Sequence, residues 1–168
     1  ETFDAIRMMF GSGRFDIIRF IRDEFPLARR PGTVWNYSTA GFDAVGRGLQ
    51  TVVGIGTYCG TVSSERASDA ATPVTRCDPA DAPMARWMRE SLFDRIGMDA
   101  QPEFDPAGTY LGGSNVWASA RDYAKFGYLY LRDGVWDGAR LLPEGWVDQA
   151  RSPAPGSNAD FYGMGFWL

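Results

Sequence analysis

The chain has 168 residues, a net charge of −4, no His and two Cys. Without His there is no Ser-His-Asp triad, Cys-His dyad, HExxH zinc site or His-ligated haem. The acidic balance argues against a surface that tracks nucleic-acid phosphates, and no apolar run approaches the roughly 20 residues of a membrane span.

Taken in chain order, residues 3–10 and 15–23 read as short helices, broken by Gly11-Ser12-Gly13. Ile17, Ile18, Phe20 and Ile21 supply the apolar face of the second. Pro26 and Pro31 bracket an extended passage that ends in the turn pair Pro31-Gly32. The spacing of Phe42, Val45, Leu49, Val52 and Val53 predicts a helix over 41–53 with those residues inward. Gly41, Gly46 and Gly48 cost helix stability and are expected to permit close packing.

Residues 54–83 are rich in Gly, Ser, Thr, Ala, Asp and Pro, and read as a surface insertion. They contain both cysteines, Cys59 and Cys77, which are either bridged or free thiols. A bridge closing such a loop contributes about 3 kcal/mol and marks an oxidising compartment. A periplasmic or extracytoplasmic location is the expectation from a bridge, and a cytoplasmic one from free thiols.

Helical periodicity returns at Met84, Trp87, Met88 and Leu92, with Gly97 as the C-cap. Glu103, Asp105 and Asp160 read as solvated loop charges. Ser119 with Asp122 is a capping-box signal. The helix it opens carries Ala120, Tyr123, Gly127, Tyr130 and Leu131 on one face and ends near Asp133-Gly134. Trp136-Asp137-Gly138-Ala139 reads as a tight hairpin turn. Pro143 suits the first residue of a helix to about Arg151, and 161–168 reads as a final strand.

The chemistry concentrates at Pro31-Gly32-Thr33-Val34-Trp35-Asn36-Tyr37-Ser38-Thr39. A helix start favours negative charge through its free N–H groups, and a Tyr there can act as a base once nearby cations lower its pKa of about 10. On the residues alone, the favoured reading is Tyr37 as a packed aromatic and Ser38 as an N-cap. Gly112 and Gly113 either form part of a substrate-binding segment or simply let backbones approach closely. Asn115 either meets substrate or turns the chain at a strand end.

Residues 31–39 resemble the PGxxWxYS segment of the serine beta-lactamase and penicillin-binding protein superfamily, in its class C-like branch. Ser91 to Met98 resembles that branch's LFxPLGM segment, and Gly112 to Asp122 its GG-x-x-x-S-A-x-D segment. Leu141 to Val147 and Tyr162 to Trp167 fit the segments that follow. The matches keep the family's order and cover nearly all the chain outside 54–83. The nearest flavour is that of the 6-aminohexanoate-dimer hydrolase and esterase-like members.

The resemblance implies an α+β beta-lactamase/DD-peptidase-like fold, with 1–168 a partial domain supplying mostly its helical region and a few strands. It implies an acyl-enzyme formed by the Ser of a Ser-x-x-Lys motif, with Lys and Tyr moving protons and no cofactor or metal. The family's Tyr maps onto Tyr37, and Asn115 follows Gly112-Gly113 where amide-hydrolysing relatives offer an Asn to substrate. The one Lys, Lys125, has Asp122 three residues before it, so the motif itself is absent. It is expected upstream of Glu1, and the family's third motif downstream of Leu168. Position 39 is Thr where lactamases carry Asn, which favours an amidase or esterase over a lactamase. Alone, this chain is expected to be inactive and Tyr37 to titrate as an ordinary Tyr. The implied partner is a small amide or ester substrate, not nucleic acid, and the oligomeric state is open. A non-catalytic peptide or peptidoglycan binder of the same fold, and a carbohydrate-active protein using its six Trp and its acids, stand as alternatives.

Overall fold

The computed structural model describes residues 2–27, 29–30, 32–55, 60–62, 74–76, 82–154 and 160–168. Cys59 and Cys77 lie outside the described residues. The chain divides into two units, the first made of Glu1–Pro26, Ser38–Glu90 and Ala100–Trp117, the second of Leu27–Tyr37, Ser91–Asp99 and Ala118–Leu168.

The first unit opens with α1 (Thr2–Phe10), a 3-10 turn (Ser12–Phe15) and α2 (Ile17–Glu24). Asp16 caps α2 by accepting from Arg19 N at 2.9 Å. Ile17 and Phe20 are buried with Met8 and Ala40, and Ile18 and Ile21 pack against them, as the periodicity requires. Next comes α3 (Thr39–Val52), capped by Ser38, whose hydroxyl accepts from Gly41 N at 3.2 Å. The strands β1 (Gly60–Val62) and β2 (Val74–Arg76) pair antiparallel, Gly60 opposite Arg76. α4 (Pro83–Met88) starts on Pro83 and buries Met84 and Ala85 with Ala82 and Phe104. Ile55 packs against this same cluster. β3 (Ala100–Pro102) pairs with β4 (Val116–Ala118).

Between β3 and β4 the chain makes a narrow excursion. Leu111 N donates to Glu103 O, Phe104 bridges Tyr110, and Asp105 N donates to Thr109 O. The face of α3 that receives it is not the expected apolar one. Leu49 and Val53 pack inward as expected, but Val45 and Val52 are 67% and 84% exposed, whereas Asp43, Gly46 and Gln50 are buried. The physical reason is the backbone laid across them. Gln50 donates to Gly108 O at 3.0 Å and accepts from Tyr110 N at 3.1 Å, and Asp43 accepts from Gly113 N at 2.9 Å. Buried backbone groups need partners, and a Val face offers none. A Cβ on Gly46 would stand 2.9 Å from Tyr110 O, so glycine there admits the excursion. At Gly48 nothing lies within 4 Å, so that glycine is not a packing device.

After α4 the chain crosses into the second unit through a π turn (Arg89–Phe93) and a 3-10 turn (Asp94–Ile96). Gly97 stops it in the left-handed region at φ 62°, as a C-cap glycine does. α5 (Ala120–Leu131) is capped by Ser119, which accepts from Asp122 N at 3.2 Å. Its buried residues are Asp122 and Leu129, neither of them in the Ala120–Leu131 stripe that the sequence puts on one face. Leu131 is 80% exposed and Tyr123 and Gly127 are also exposed, because Asp122 turns inward to hold neighbouring polar groups. Asp122 accepts from the Ser119 hydroxyl at 2.5 Å, Lys125 Nζ at 2.9 Å and Asp99 N at 3.1 Å. Lys125 also donates to Gly97 O, tying α5 to the preceding turn.

β5 (Val135–Trp136) and β6 (Ala139–Arg140) form the expected hairpin, with Asp137 and Gly138 at φ 45° and 80°. α6 (Trp146–Ala150) begins later than Pro143, because Gly145 takes φ 76° and cannot continue a helix backwards. The final segment is a hairpin rather than one strand. Tyr162 bridges Trp167, and Gly165 turns the chain at φ 80°. Among the described residues no helix is long and apolar enough to cross a membrane.

Candidate active site

Tyr37 sits in the extended passage immediately before the α3 cap. Its ring is 45% exposed and is held by two others. Trp167 stacks on it at 5.5 Å between centroids, and Tyr162 meets it edge-on at 5.5 Å. Phe161 stacks on Trp167 at 5.9 Å, and Trp35 packs on Tyr162 at 5.5 Å. Tyr162 is buried, which pushes its phenol pKa up, and the Tyr37 hydroxyl adds to that. The packing and the cap follow the structural reading of this stretch. Ser38 is the N-cap, and Tyr37 is packed by its ring while its surface stays partly open.

Gly112, Gly113 and Asn115 belong to the first unit, Tyr37 to the second. A Cβ on Gly112 would stand 2.6 Å from Phe42 O, and one on Gly113 would stand 2.7 Å from the Thr39 methyl. Both glycines thus let this turn lie on the first two turns of α3. Asn115 adopts φ 64°, a left-handed conformation that costs a non-glycine residue free energy, and its carbonyl accepts from Glu103 N at 3.1 Å.

Asn115 lines a cavity of about 410 Å³ together with Met8, Phe10, Arg14, Asp43 and Asp105. Asp105, expected in solvent, is only 4% exposed. Its carboxylate accepts from Ile17 N at 2.8 Å and Thr109 N at 2.7 Å. Burial pushes its pKa up to about 6 against those two hydrogen bonds. Burial likewise raises Asp43, opposed by the Gly113 N–H. Glu103 accepts from Trp117 Nε1 at 3.1 Å, and Asp160 is exposed.

Asp43, Gln50 and Asp105 escaped the sequence reading. The available signal was a polar-glycine-polar stripe on a helix with apolar residues to spare, and an Asp-Pro-Ala-Gly-Thr run able to close a turn on its own Asp. Among the described residues no group of three or more His, Cys, Asp or Glu is arranged to hold a metal ion.

Comparison with curated proteins finds no match. The motif order, the Tyr-Ser helix start and the α+β elements converge with a family model for Beta-lactamase that matches residues 7–168, and the chain belongs to that family, within the serine hydrolase superfamily.

Proposed function

We propose that this chain is the central part of a serine hydrolase that cleaves amide or ester bonds through an acyl-enzyme, with Tyr37 as its proton-transfer residue. The observation that carries the reading is the placement of Tyr37: partly exposed, ring-packed by Trp167 and Tyr162, and immediately before the capped start of α3. The absence of His fits proton transfer by Lys and Tyr. In this mechanism a Ser of a Ser-x-x-Lys motif, which this sequence lacks, attacks the carbonyl. Its proton passes by way of Tyr37 to the leaving group, and water then cleaves the acyl-enzyme. The Asn115 carboxamide donates to the substrate amide beside Gly112 and Gly113. The motif matches support the class C-like branch with its esterase and 6-aminohexanoate-dimer hydrolase members, and Thr39 in place of Asn weakens lactam cleavage more than ester or amide cleavage.

The test is Tyr37→Phe in the full-length protein, assayed on nitrophenyl esters and short amides. Loss of about 10²–10⁴ in kcat with an unchanged thermal midpoint supports the reading. Unchanged kcat overturns it. Fluorophosphonate labelling of a single Ser supports the enzyme, and no labelling moves the assignment to a peptide-binding member of the fold. Hydrolysis by the isolated 168-residue chain overturns the claim that it is inactive alone.

We further propose that Cys59 is bridged to Cys77, and that the bridge marks a location outside the cytoplasm. In support, Gly60, which follows Cys59, pairs with Arg76, which precedes Cys77. Alkylation and mass analysis of native protein, with and without reductant, distinguishes a bridge from two modified thiols.

A further inference from the structure

The excursion from Glu103 to Asn115 is fastened by buried polar side chains, and one of them sits in a position to respond to protons. Asp105 reaches from the excursion to the first N–H of α2 and closes its own turn on Thr109. Its partners, among the described residues, are backbone N–H groups rather than a cation. Asp16, the α2 cap, adds like charge, while Arg14, Glu103 and Asp43 line the same cavity. Arg14 is engaged elsewhere, donating to Phe10 O at 3.3 Å and lying 4.4 Å from the Phe15 ring centroid.

We propose that Asp105 is a proton-responsive positioning residue that seats the 103–115 excursion, and with it Asn115, more firmly in acid than at neutral pH. The sign follows from linkage. With the excursion seated, the buried carboxyl holds its proton up to about pH 6; opened to water it returns to the usual value of 3.8. The seated state therefore binds more protons between those values, and its advantage falls as pH rises through that window. A difference of this size corresponds to up to about a 100-fold change in the opening equilibrium. Asp43 holds the far end of the excursion at Gly113 and responds in the same direction.

The consequence for substrate rests on the role of Asn115 given above; the proton response of the excursion does not. The experiment is amide hydrogen exchange at Ile17 and Thr109 in the full-length protein, from pH 4 to pH 7.5, corrected for the intrinsic pH dependence. Protection falling by up to about 100-fold across this range, with the slope reduced in Asp105→Asn to the smaller one left by Asp43, is the expected result. A flat profile in the parent, or a slope undiminished in Asp105→Asn, overturns the proposal. If Asp105→Asn does not fold, the carboxyl carbon of Asp105 in the parent protein decides. Titration near 6 supports the inference, and titration near 4 overturns it. In the hydrolysis assay, KM for amides rises through the same window while kcat changes independently, and Asp105→Asn flattens KM. A KM that ignores pH while exchange responds overturns the positioning of Asn115. Absence of hydrolysis altogether strikes the functional reading and leaves the exchange result standing.

Discussion

Asp122 and Asp105 show how two carboxyls of one chain acquire opposite behaviour. Asp122 is held below the usual carboxylate range, first by the Ser119 hydroxyl, then by Lys125 and the Asp99 N–H. It contributes stability at neutral pH that is lost as pH falls through its lowered value. Asp105, raised by burial, contributes in acid and loses that contribution on the way to neutrality. Ser119→Ala removes both the helix cap and the largest influence on Asp122. The expected cost is about 1 kcal/mol in urea unfolding at pH 7. The variant should also lose less on further acidification than the parent does, because Asp122 starts nearer its ordinary value. The Ser119–Asp122 pair was legible in the sequence, since capping is a local chemistry with a fixed spacing. Asp105 was not, because what buries it comes from α2, remote in the chain.

Local periodicity located the helices well and their inner faces less well. α2 kept its apolar stripe because it packs on side chains. α3 kept only part of its own: Leu49 and Val53 pack on the Ala82–Phe104 cluster, while Val45 and Val52 face out because Asp43, Gln50 and the bare Gly46 meet backbone on the inner side. This contrast yields a paired prediction. Gly46→Ala forces a methyl to within 2.9 Å of Tyr110 O, and overpacking of this kind costs about 1–3 kcal/mol. Gly48→Ala, in the same helix with no atom within 4 Å, should stabilise by about 0.5–1 kcal/mol. Denaturant midpoints of the two single variants check both signs at once. Equal effects would mean that the 103–115 excursion does not lie on α3. The start of α6 and the final hairpin were misplaced for a related reason. Gly145 and Gly165 take left-handed conformations that hydrophobic spacing does not encode.

At the level of the molecule, family and order of segments were legible because the motifs lie in sequence-local turns and caps. Tyr37 and Asn115 could be named from them, but the aromatic rings around Tyr37 could not. Trp167 and Tyr162 reach it through a terminal hairpin that reads as a plain strand. Ile55 and Ala82, which flank residues 56–81, enter one hydrophobic cluster with Met84, Ala85 and Phe104. They therefore serve as two posts of one gate in the chain. A designer can treat that gate as a socket. Replacing 56–81 by a short Gly-Ser linker measures what that segment adds between its two seated ends: a shift of ~1–2 kcal/mol in the urea midpoint is loop closure alone, and a larger loss means that the segment also packs.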